Sequence, residues 1–316
     1  MSRLECVTDL AKGRWTSILL DLGIERTFLT KKHGPCPFCG GKDRFRYTDI
    51  GGTGGWICNQ CGHGSGIDWV MRAMSVDFRG AADMVRPLVE SATPETVQEI
   101  PEWKKREWMN QLWKDSRPVV HGDPVWLWFN RRVGGFNIPK TIRYCERCEY
   151  NFGGVHEHHP AMVAMIHGPD GKPCSLHRTY LTKDGRKAPV GNVRMMMPSN
   201  MTDGAAIRLC DPAEDMGLAE GIETAVSFMK MFNVQTWAVM NATMLEKWEP
   251  PEIVKRVFIG GDNDQNFRGQ KATFTLANRL ALRGIEVVPA IPGYSIDRKF
   301  DGHDWNNELQ VRSMTA

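Results

Sequence analysis

Hydrophobic and polar positions follow two different rhythms along this chain. In the first thirty residues and again at 67–90, apolar side chains recur every three or four positions, which is the spacing of amphipathic helices. One helix is predicted to end at Gly23, with an apolar face formed by Leu10, Trp15, Ile18, Leu19 and Leu22. Further helices are predicted near residues 67–74 and 80–89. A glycine-rich stretch, residues 31–66, lies between the first predicted helix and the helix near residues 67–74. Its apolar side chains show neither this helical spacing nor the pattern of the last third of the chain.

The last third of the chain alternates short apolar runs with helical patterns. Strands are predicted near residues 216–220, 235–240, 254–261 and 286–290, and helices near 222–231, 268–283 and 304–311. This alternation indicates an α/β domain on a mainly parallel sheet, within a chain that is α+β overall. The middle of the chain is helical in pattern at 102–115 and β-rich at 140–200, where Asp170 and Gly171 predict a hairpin turn.

Composition and charge narrow the class of protein. A hydrophobic share of 41% and a charged share of 24% are typical of soluble globular proteins. With no apolar run near the roughly 20 residues that span a bilayer, and no signal-peptide core, we expect a cytoplasmic protein. Residues 101–200 carry 16 basic and 9 acidic side chains, whereas residues 201–316 carry 12 and 16. A basic middle beside an acidic segment favours a phosphate-binding surface next to a metal site, although segregation across solvated faces gives the same counts.

Four of the nine cysteines have the spacing of a metal site. They form a C-x₂-C-x₁₈-C-x₂-C pattern made by Cys36, Cys39, Cys58 and Cys61. Two residues between cysteines allow a glycine-containing turn to direct both thiolates at one ion, and two such turns complete a tetrahedron. The pattern predicts one structural zinc ion in a reducing compartment. His33 and His63 flank the pairs and are expected to lie outside the ligand set.

Basic and aromatic side chains alternate on a predicted strand between the two pairs. Arg44 and Arg46 alternate with Phe45 and Tyr47, so one face is basic and the other aromatic. The aromatic face could stack on the bases of single-stranded nucleic acid. It could equally pack on the zinc turns and leave the arginines outside.

A second cysteine pair lies in the middle of the chain. Cys145 and Cys148 are followed by His156, His158 and His159. A second zinc site is open here, but the short spacing to the histidines and the lack of glycines do not favour it.

Three carboxylates follow two of the predicted strands. Glu220 lies in G-L-A-E-G-I-E-T-A, and Asp262 and Asp264 lie in V-F-I-G-G-D-N-D. Ligands of α/β sheets bind at the carboxyl ends of the strands. Carboxylates gathered there are suited to hold Mg²⁺ against a phosphate. Glu223, one helical turn later, is expected to favour the N-terminus of the helix and not to be catalytic.

These segments resemble known domains. The stretches 219–225 and 259–272 resemble the Toprim domain shared by bacterial-type primases and topoisomerases. The stretches 33–46 and 56–68 are similar to the zinc-binding domain of phage and plasmid primases, and L-H-R-T-Y-L-T-K-D-G at 176–185 resembles Toprim-type primases of mobile elements. The order of the parts is similar to the primase half of satellite-phage primase–helicases.

The resemblance implies roles for the acids. It makes Glu220 the general acid/base and Asp262 and Asp264 the ligands of Mg²⁺ or Mn²⁺. A further metal ligand is expected after the next strand, where Asp304 is the best match and Asp301 a weaker one. That place often has D-W-N-D in the family, but this chain has Asn307 in the last position.

The resemblance also suggests a division of the chain and its nucleic-acid contacts. We expect a zinc-binding domain at 1–90, a linker at 91–101, a basic subdomain of the polymerase core at 102–204 and a Toprim catalytic domain at 205–316. Candidate contacts to template or nucleotide are Arg44, Arg46, His177, Arg178, Lys183, Lys187 and Arg194.

Three functions fit this reading. The first is a DNA primase that makes short RNA primers on single-stranded DNA from nucleoside triphosphates, in the replication of a phage, satellite or plasmid within a bacterial host. The second is a Toprim metal-dependent nuclease, and the third is a non-catalytic zinc-containing replication accessory. The sequence has no G-x-x-x-x-G-K-[ST] motif, so a primase would work with a separate helicase.

Overall fold

The computed structural model describes residues 6–97, 99–152, 155–199, 201–293 and 302–315. Two compact units share the chain. The first contains Met1–Lys104, Arg147–His159 and Val190–Asn192, and the second contains Lys105–Glu146, Pro160–Pro189 and Val193–Ala316. Each has its own hydrophobic core. Within the described part of the chain, no helix combines the length and the apolarity needed to cross a bilayer.

The first unit is built on a small antiparallel sheet that contains the cysteines. Its strands pair in the order β1–β2–β3–β4 and are β1 (Gly34–Cys36), β2 (Gly40–Tyr47), β3 (Trp56–Cys58) and β4 (Gly62–Gly64). The helices are α1 (Val7–Leu10), α2 (Trp15–Asp21), α3 (Gly66–Met74) and α4 (Phe78–Val85), with 3₁₀ turns at Arg26–Phe28 and Arg86–Leu88. Four buried aromatic rings, Phe45, Tyr47, Trp56 and Trp69, pack edge-on or stacked in the core of this unit.

The predicted N-terminal helix is two helices. The chain breaks at Gly13, whose φ is +72° and whose amide donates to the carbonyl of Gly52 at 2.7 Å. A Cβ at Gly13 would lie 2.6 Å from Val97, so only glycine fits this close approach. The apolar face itself was predicted correctly for Trp15, Ile18 and Leu19, which are buried.

The elements after residue 101 alternate between strands and helices. The helices are α5 (Glu102–Lys114), α6 (Pro124–Val133), α7 (Ile222–Phe232), α8 (Ala242–Lys247), α9 (Arg268–Ala281) and α10 (Trp305–Thr315). The strands are β5 (Arg117–Pro118), β6 (Ile142–Phe152), β7 (Val155–His167), β8 (Pro173–Tyr180), β9 (Arg194–Met196), β10 (Ala206–Ile207), β11 (Asp215–Ala219), β12 (Gln235–Ala238), β13 (Arg256–Gly260) and β14 (Glu286–Ala290). The predicted hairpin turn at Asp170–Gly171 joins β7 to β8.

Parallel strands align the chain positions from which the acids emerge. The sheet order is β14–β13–β11–β12–β10–β7–β6–β5, with β8 beside β7 and β9 beside β8. β14, β13, β11 and β12 are parallel, and Ala219 is in register with both Gly260 and Ala238. Glu220 and Asp262 therefore follow strand ends that lie side by side.

Two consecutive glycines at the end of β13, Gly260 and Gly261, allow helices to pack closely on opposite faces of the sheet. A Cβ on Gly260 would lie 2.8 Å from the ring of Phe228 in α7, and one on Gly261 would overlap Thr273 in α9. Since successive Cβ atoms point to opposite faces of a strand, α7 and α9 cover opposite faces. Glycine lets both helices pack closely beside the loop that carries Asp262.

Candidate functional site

The four predicted zinc ligands converge. One sulfur from each of Cys36, Cys39, Cys58 and Cys61 lies within 4.8 Å of the others. The Sγ atoms are 3.8 Å apart for Cys36 and Cys61, and 3.7 Å apart for Cys39 and Cys58. Backbone amides of Phe38, Gln60 and Cys61 donate to the sulfurs, which favours thiolates. This donor set fits a closed, structural zinc site.

The strand between the cysteine pairs buries its aromatic residues. Phe45 and Tyr47 are only 2% and 3% exposed, so their rings belong to the core and are not available to stack on bases. Arg44 and Arg46 lie on the other face and are half-buried, and Arg44 donates to the side chain of Gln60. The core-packing alternative is therefore correct for this strand, whose basic side chains lie outside the core.

The second cysteine pair lies outside the groups of potential metal-binding side chains among the described residues. Cys145 and Cys148 are both buried, and within the described residues neither belongs to a group of metal-ligand atoms lying within 4.8 Å of one another. His156 instead contacts His63, which was expected to lie outside the ligand set of the four-cysteine site.

Two of the predicted catalytic acids, Glu220 and Asp262, are half-buried and have raised pKa values. Burial, and then the charge of Asp264, raises the pKa of Glu220 to about 7. Burial, and then the charges of Glu220, Asp304 and Asp264, raises the pKa of Asp262 to about 8. Oε1 of Glu220 and Oδ1 of Asp262 are buried without a hydrogen-bond partner in the described structure. These orphaned oxygens and mutual repulsions are what a bound cation would relieve.

The loop of Asp262 and Asp264 is held by a polar network. Oδ2 of Asp264 accepts from the amide of Gly269 at the start of α9, at 2.9 Å. The buried side chain of Gln270 donates to Oδ1 of Asn263 at 2.7 Å and to the carbonyl of Asp264 at 3.0 Å. Gly269 has no room for a Cβ, which would lie 2.5 Å from the carbonyl oxygen of Asp262. The position of the loop is thus set by α9.

A backbone hydrogen bond places Asp304 near the same acidic centre. The amide of Asn263 donates to the carbonyl of His303 at 2.9 Å, which places the turn before α10 beside the loop of Asp262. Asp304 and Asn307 cap each other, each backbone amide donating to the other side chain at 2.9–3.0 Å. The oxygen of Asn307 is therefore engaged in capping the helix. Asp301 lies outside the described residues.

The carboxylates stand further apart than the cysteines. Among the described residues, they do not form a group whose oxygens all lie within 4.8 Å of one another. Carboxylate oxygens are the ligands of hard ions that keep several waters, as Mg²⁺ does.

A cleft next to the acidic centre is lined by acidic and basic side chains. Glu220, Glu223, Arg194, His177 and Thr179 contribute to its wall. Burial, and then Arg194 and Arg178, lowers the pKa of His177 to about 3, so its imidazole is neutral. Its Nδ1 has no hydrogen-bond partner in the described structure. The cleft thus offers a cation and a neutral polar ring next to the acidic centre.

The ion pairs of Glu223 were not predicted from the sequence. It is buried and forms ion pairs with Arg194 and, at 3.9 Å, with Arg132. A second carboxylate one turn after Glu220, together with the excess of basic residues in the middle segment, was the available sequence signal. Glu223 therefore holds Arg194 at the edge of the cleft.

The other predicted contacts are dispersed. Lys187 is near Arg194, Arg132 and Asp304; partial burial, and then Arg194, lowers its pKa. Arg178 lies on the opposite face of β8 from His177, 5.7 Å from the ring of Tyr180. Lys183 is exposed in the turn after β8 and does not line the cleft.

Three segments match family models. Residues 31–67 match the zinc-binding domain of primase-helicase, residues 103–209 match a domain of unknown function (DUF7146), and residues 215–314 match the Toprim domain. The recognition of a primase-type zinc ribbon and a C-terminal Toprim domain is confirmed, as is the mixed α/β fold class.

Solved primases are among the similar structures. The Aquifex aeolicus primase, with its zinc-binding and RNA polymerase domains, is 15% identical over 99% of this chain and 85% of that chain, with a TM-score of 0.43. The primase fragment of the bacteriophage T7 primase-helicase protein is 15% identical over 90% and 98%, with a TM-score of 0.37. The E. coli primase catalytic core is 12% identical over 67% and 70%, with a TM-score of 0.35. At these identities and scores, no function is transferred from these proteins.

Proposed function

We propose that this chain is a DNA primase, which joins ribonucleotides into short primers on a single-stranded DNA template. The observation that carries the proposal is a pair of half-buried carboxylates, Glu220 and Asp262, each with one buried oxygen that has no hydrogen-bond partner in the described structure, near a cleft that contains Arg194. The zinc ribbon of the primase-helicase type supports it, because that domain and a Toprim domain occur together in this chain.

The acidic centre fits a divalent ion. Asp262, Asp264 and Asp304 offer hard oxygen ligands, and burial followed by the charges of neighbouring carboxylates raises the pKa of Asp262 to about 8. We propose that these three residues hold Mg²⁺ or Mn²⁺. When bound, such ions lower the charge on the attacking and leaving oxygens of nucleotidyl transfer. The network of Gln270 and Gly269 would keep the ligands in place.

The chain's own side chains would carry the rest of the reaction. A pKa of about 7 suits Glu220 to exchange a proton with the 3′-hydroxyl of the primer at neutral pH. Arg194, held by Glu223, would bind a phosphate of the incoming nucleotide. The neutral His177 would donate or accept one hydrogen bond in the cleft. Arg44 and Arg46 of the zinc ribbon, and Arg178, Lys183 and Lys187, are proposed to contact the template or nucleotides.

The primary test is template-dependent synthesis. The purified chain would receive single-stranded DNA of mixed sequence, labelled ribonucleoside triphosphates and Mg²⁺ or Mn²⁺. We expect new short oligonucleotides from the wild type and a loss of at least ~100-fold in Asp262→Asn and Glu220→Gln. Asp215→Asn is the matched control, because Asp215 begins the same strand that Glu220 follows but pairs with Arg256 in an exposed ion pair.

The same reaction distinguishes the other functions. Shortening of the template without new product, abolished by Asp262→Asn, would overturn the primase in favour of a Toprim nuclease. Template binding with neither synthesis nor cutting, with and without an added replicative helicase, would leave an accessory role. We further propose a separate helicase as partner and action in the bacterial cytoplasm for a phage, satellite or plasmid. Direct binding to the host's replicative helicase would test this.

A further inference from the structure

The first unit contains a second group of metal-binding side chains besides its four cysteines. A ring nitrogen of His63, a ring nitrogen of His156 and a carboxylate oxygen of Glu149 all lie within 4.8 Å of one another. His63 is in β4, two positions after Cys61, whereas Glu149 and His156 belong to the Arg147–His159 part of the same unit. Histidines 93 positions apart in the chain therefore meet at one point.

The approach of His156 is close and requires a glycine. Its Nε2 lies 2.5 Å from the amide nitrogen of His63 and 2.6 Å from the carbonyl oxygen of His63. The two imidazole centroids are 4.1 Å apart. Gly62 has φ of +86°, and a Cβ there would overlap the ring of His156. Glycine at this position thus serves both the cysteine turn and the docking of the histidine.

The donor set is that of a borderline transition metal. Two imidazoles in contact repel each other if both are protonated, but as neutral rings they present lone pairs that can share a cation. Glu149 adds a negative charge, which offsets part of the charge of a divalent ion. Two imidazoles and one carboxylate suit zinc and its neighbours in the first transition row, whereas Mg²⁺ prefers oxygen ligands alone.

We propose that His63, Glu149 and His156 bind a second zinc ion, separate from the four-cysteine site. Donation from Nε2–H of His156 to the carbonyl of His63 orients the ring and leaves the lone pair of Nδ1 as the ligand, an arrangement common among metal-binding histidines. The ion fastens residues 147–159 to the second cysteine turn of the zinc ribbon. Three protein ligands leave a fourth position for water.

The test counts zinc in the full-length chain, prepared without a histidine tag. After loading with zinc and removal of unbound metal by gel filtration, elemental analysis is expected to give one ion more in the wild type than in His156→Ala or Glu149→Gln. Glu149 is exposed, so Glu149→Gln is expected to fold even if His156→Ala does not. His158→Ala, an exposed histidine two positions away, is the control and is expected to keep the wild-type count.

Cobalt substitution identifies the two sites separately. The cysteine site gives thiolate-to-cobalt charge-transfer bands in the ultraviolet, which Glu149→Gln is expected to retain in full. The proposed site adds only weak visible bands, which Glu149→Gln is expected to lose. An equal metal count in the wild type and both variants, or loss of the same ion in His158→Ala, would overturn the proposal.

Discussion

Single residues of the acidic centre hold their protons to higher pH than free carboxyl groups do. Glu220 and Asp262 are half-buried next to other carboxylates, and each has one buried oxygen without a hydrogen-bond partner in the described structure. Groups with strongly shifted pKa values in a cleft are typical of functional sites. The raised pKa values also make the free energy of unfolding depend on pH, which can be measured without any knowledge of the substrate.

The first prediction concerns stability against pH. The pKa values of Glu220 and Asp262 are raised from 4.5 and 3.8 to about 7 and about 8 on folding. The folded chain then binds more protons than the unfolded chain between these limits, so the free energy of unfolding falls as the pH rises through this window. Asp262→Asn removes one of the repelling charges and is expected to be more stable than the wild type at high pH without magnesium, on the order of 2 kcal/mol.

Urea unfolding at about pH 6 and about pH 9 in magnesium-free buffer measures this difference. Added magnesium is expected to restore the wild type at the higher pH and to leave Asp262→Asn unchanged. Asp215→Asn is the control, because the exposed carboxyl of Asp215 is paired with Arg256. A wild type as stable at the higher pH as at the lower one would contradict the raised pKa values.

The ion pair of Glu223 and Arg194 gives the second prediction. Glu223 is 4% exposed at its side chain and Arg194 is 44% exposed, so most of the cost of breaking the pair falls on the buried carboxylate. We expect Arg194→Ala to destabilise the chain by about 1–3 kcal/mol, less than a fully buried pair would, because solvent screens the arginine. A double-mutant cycle with Glu223→Ala measures the coupling, and a coupling near zero would show that the pair is not formed in solution.

Sequence reasoning found the acids because their signal is local. Each of Glu220, Asp262 and Asp264 follows an apolar run that ends at a strand terminus within a known motif. The partners of Glu223 are not local: Arg194 and Arg132 come from elements 29 and 91 positions earlier, and only the fold brings them to the carboxylate. The meeting of His63 with His156 was hidden for the same reason.

The strands and helices differ in how well the hydrophobic pattern of the sequence predicts their bounds. β14 was predicted at its observed bounds, and β11, β12 and β13 to within two residues at each end, because polar residues or glycines flank their apolar runs. Helices α6 and α8 were not predicted, since α6 begins at a proline among tryptophans and α8 has only six residues. The break between α1 and α2 depends on the approach of Gly52 to Gly13, which no periodicity contains.

The start of α9 gives a prediction at this scale. Gly269 lies against the carbonyl of Asp262, and Gly269→Ala would push the helix and the metal-binding loop apart. We expect activity to fall by at least ~10-fold, because small displacements of reacting groups are costly, while the helix itself remains folded. Thr275→Ala on the exposed face of α9 is the matched control. Full primer synthesis by Gly269→Ala would show that the loop adjusts without cost.

At the scale of the whole molecule, two hydrophobic cores imply two separable responses to metal loss. The core of the first unit surrounds the cysteines and includes Trp56 and Trp69, whereas the core of the second is built on the Toprim sheet. A zinc ribbon has too few apolar contacts to fold without its ion. We therefore expect Cys58→Ser to lose zinc and to raise amide hydrogen exchange in β1–β4 and α3, while β11 and β13 remain protected.

Hydrogen exchange measured by mass spectrometry resolves both units in one sample of the full chain. Cys6→Ser is the matched control, because Cys6 is an exposed cysteine of the first unit outside the metal-binding group. It is expected to leave exchange unchanged throughout. If Cys58→Ser also exposed β11 and β13, the Toprim sheet would depend on the zinc ribbon for its stability. Loss of priming in that variant would then not distinguish a template-binding role of the zinc ribbon from a structural one. Protection of β11 and β13 together with lost priming would place the role of zinc in engaging the template.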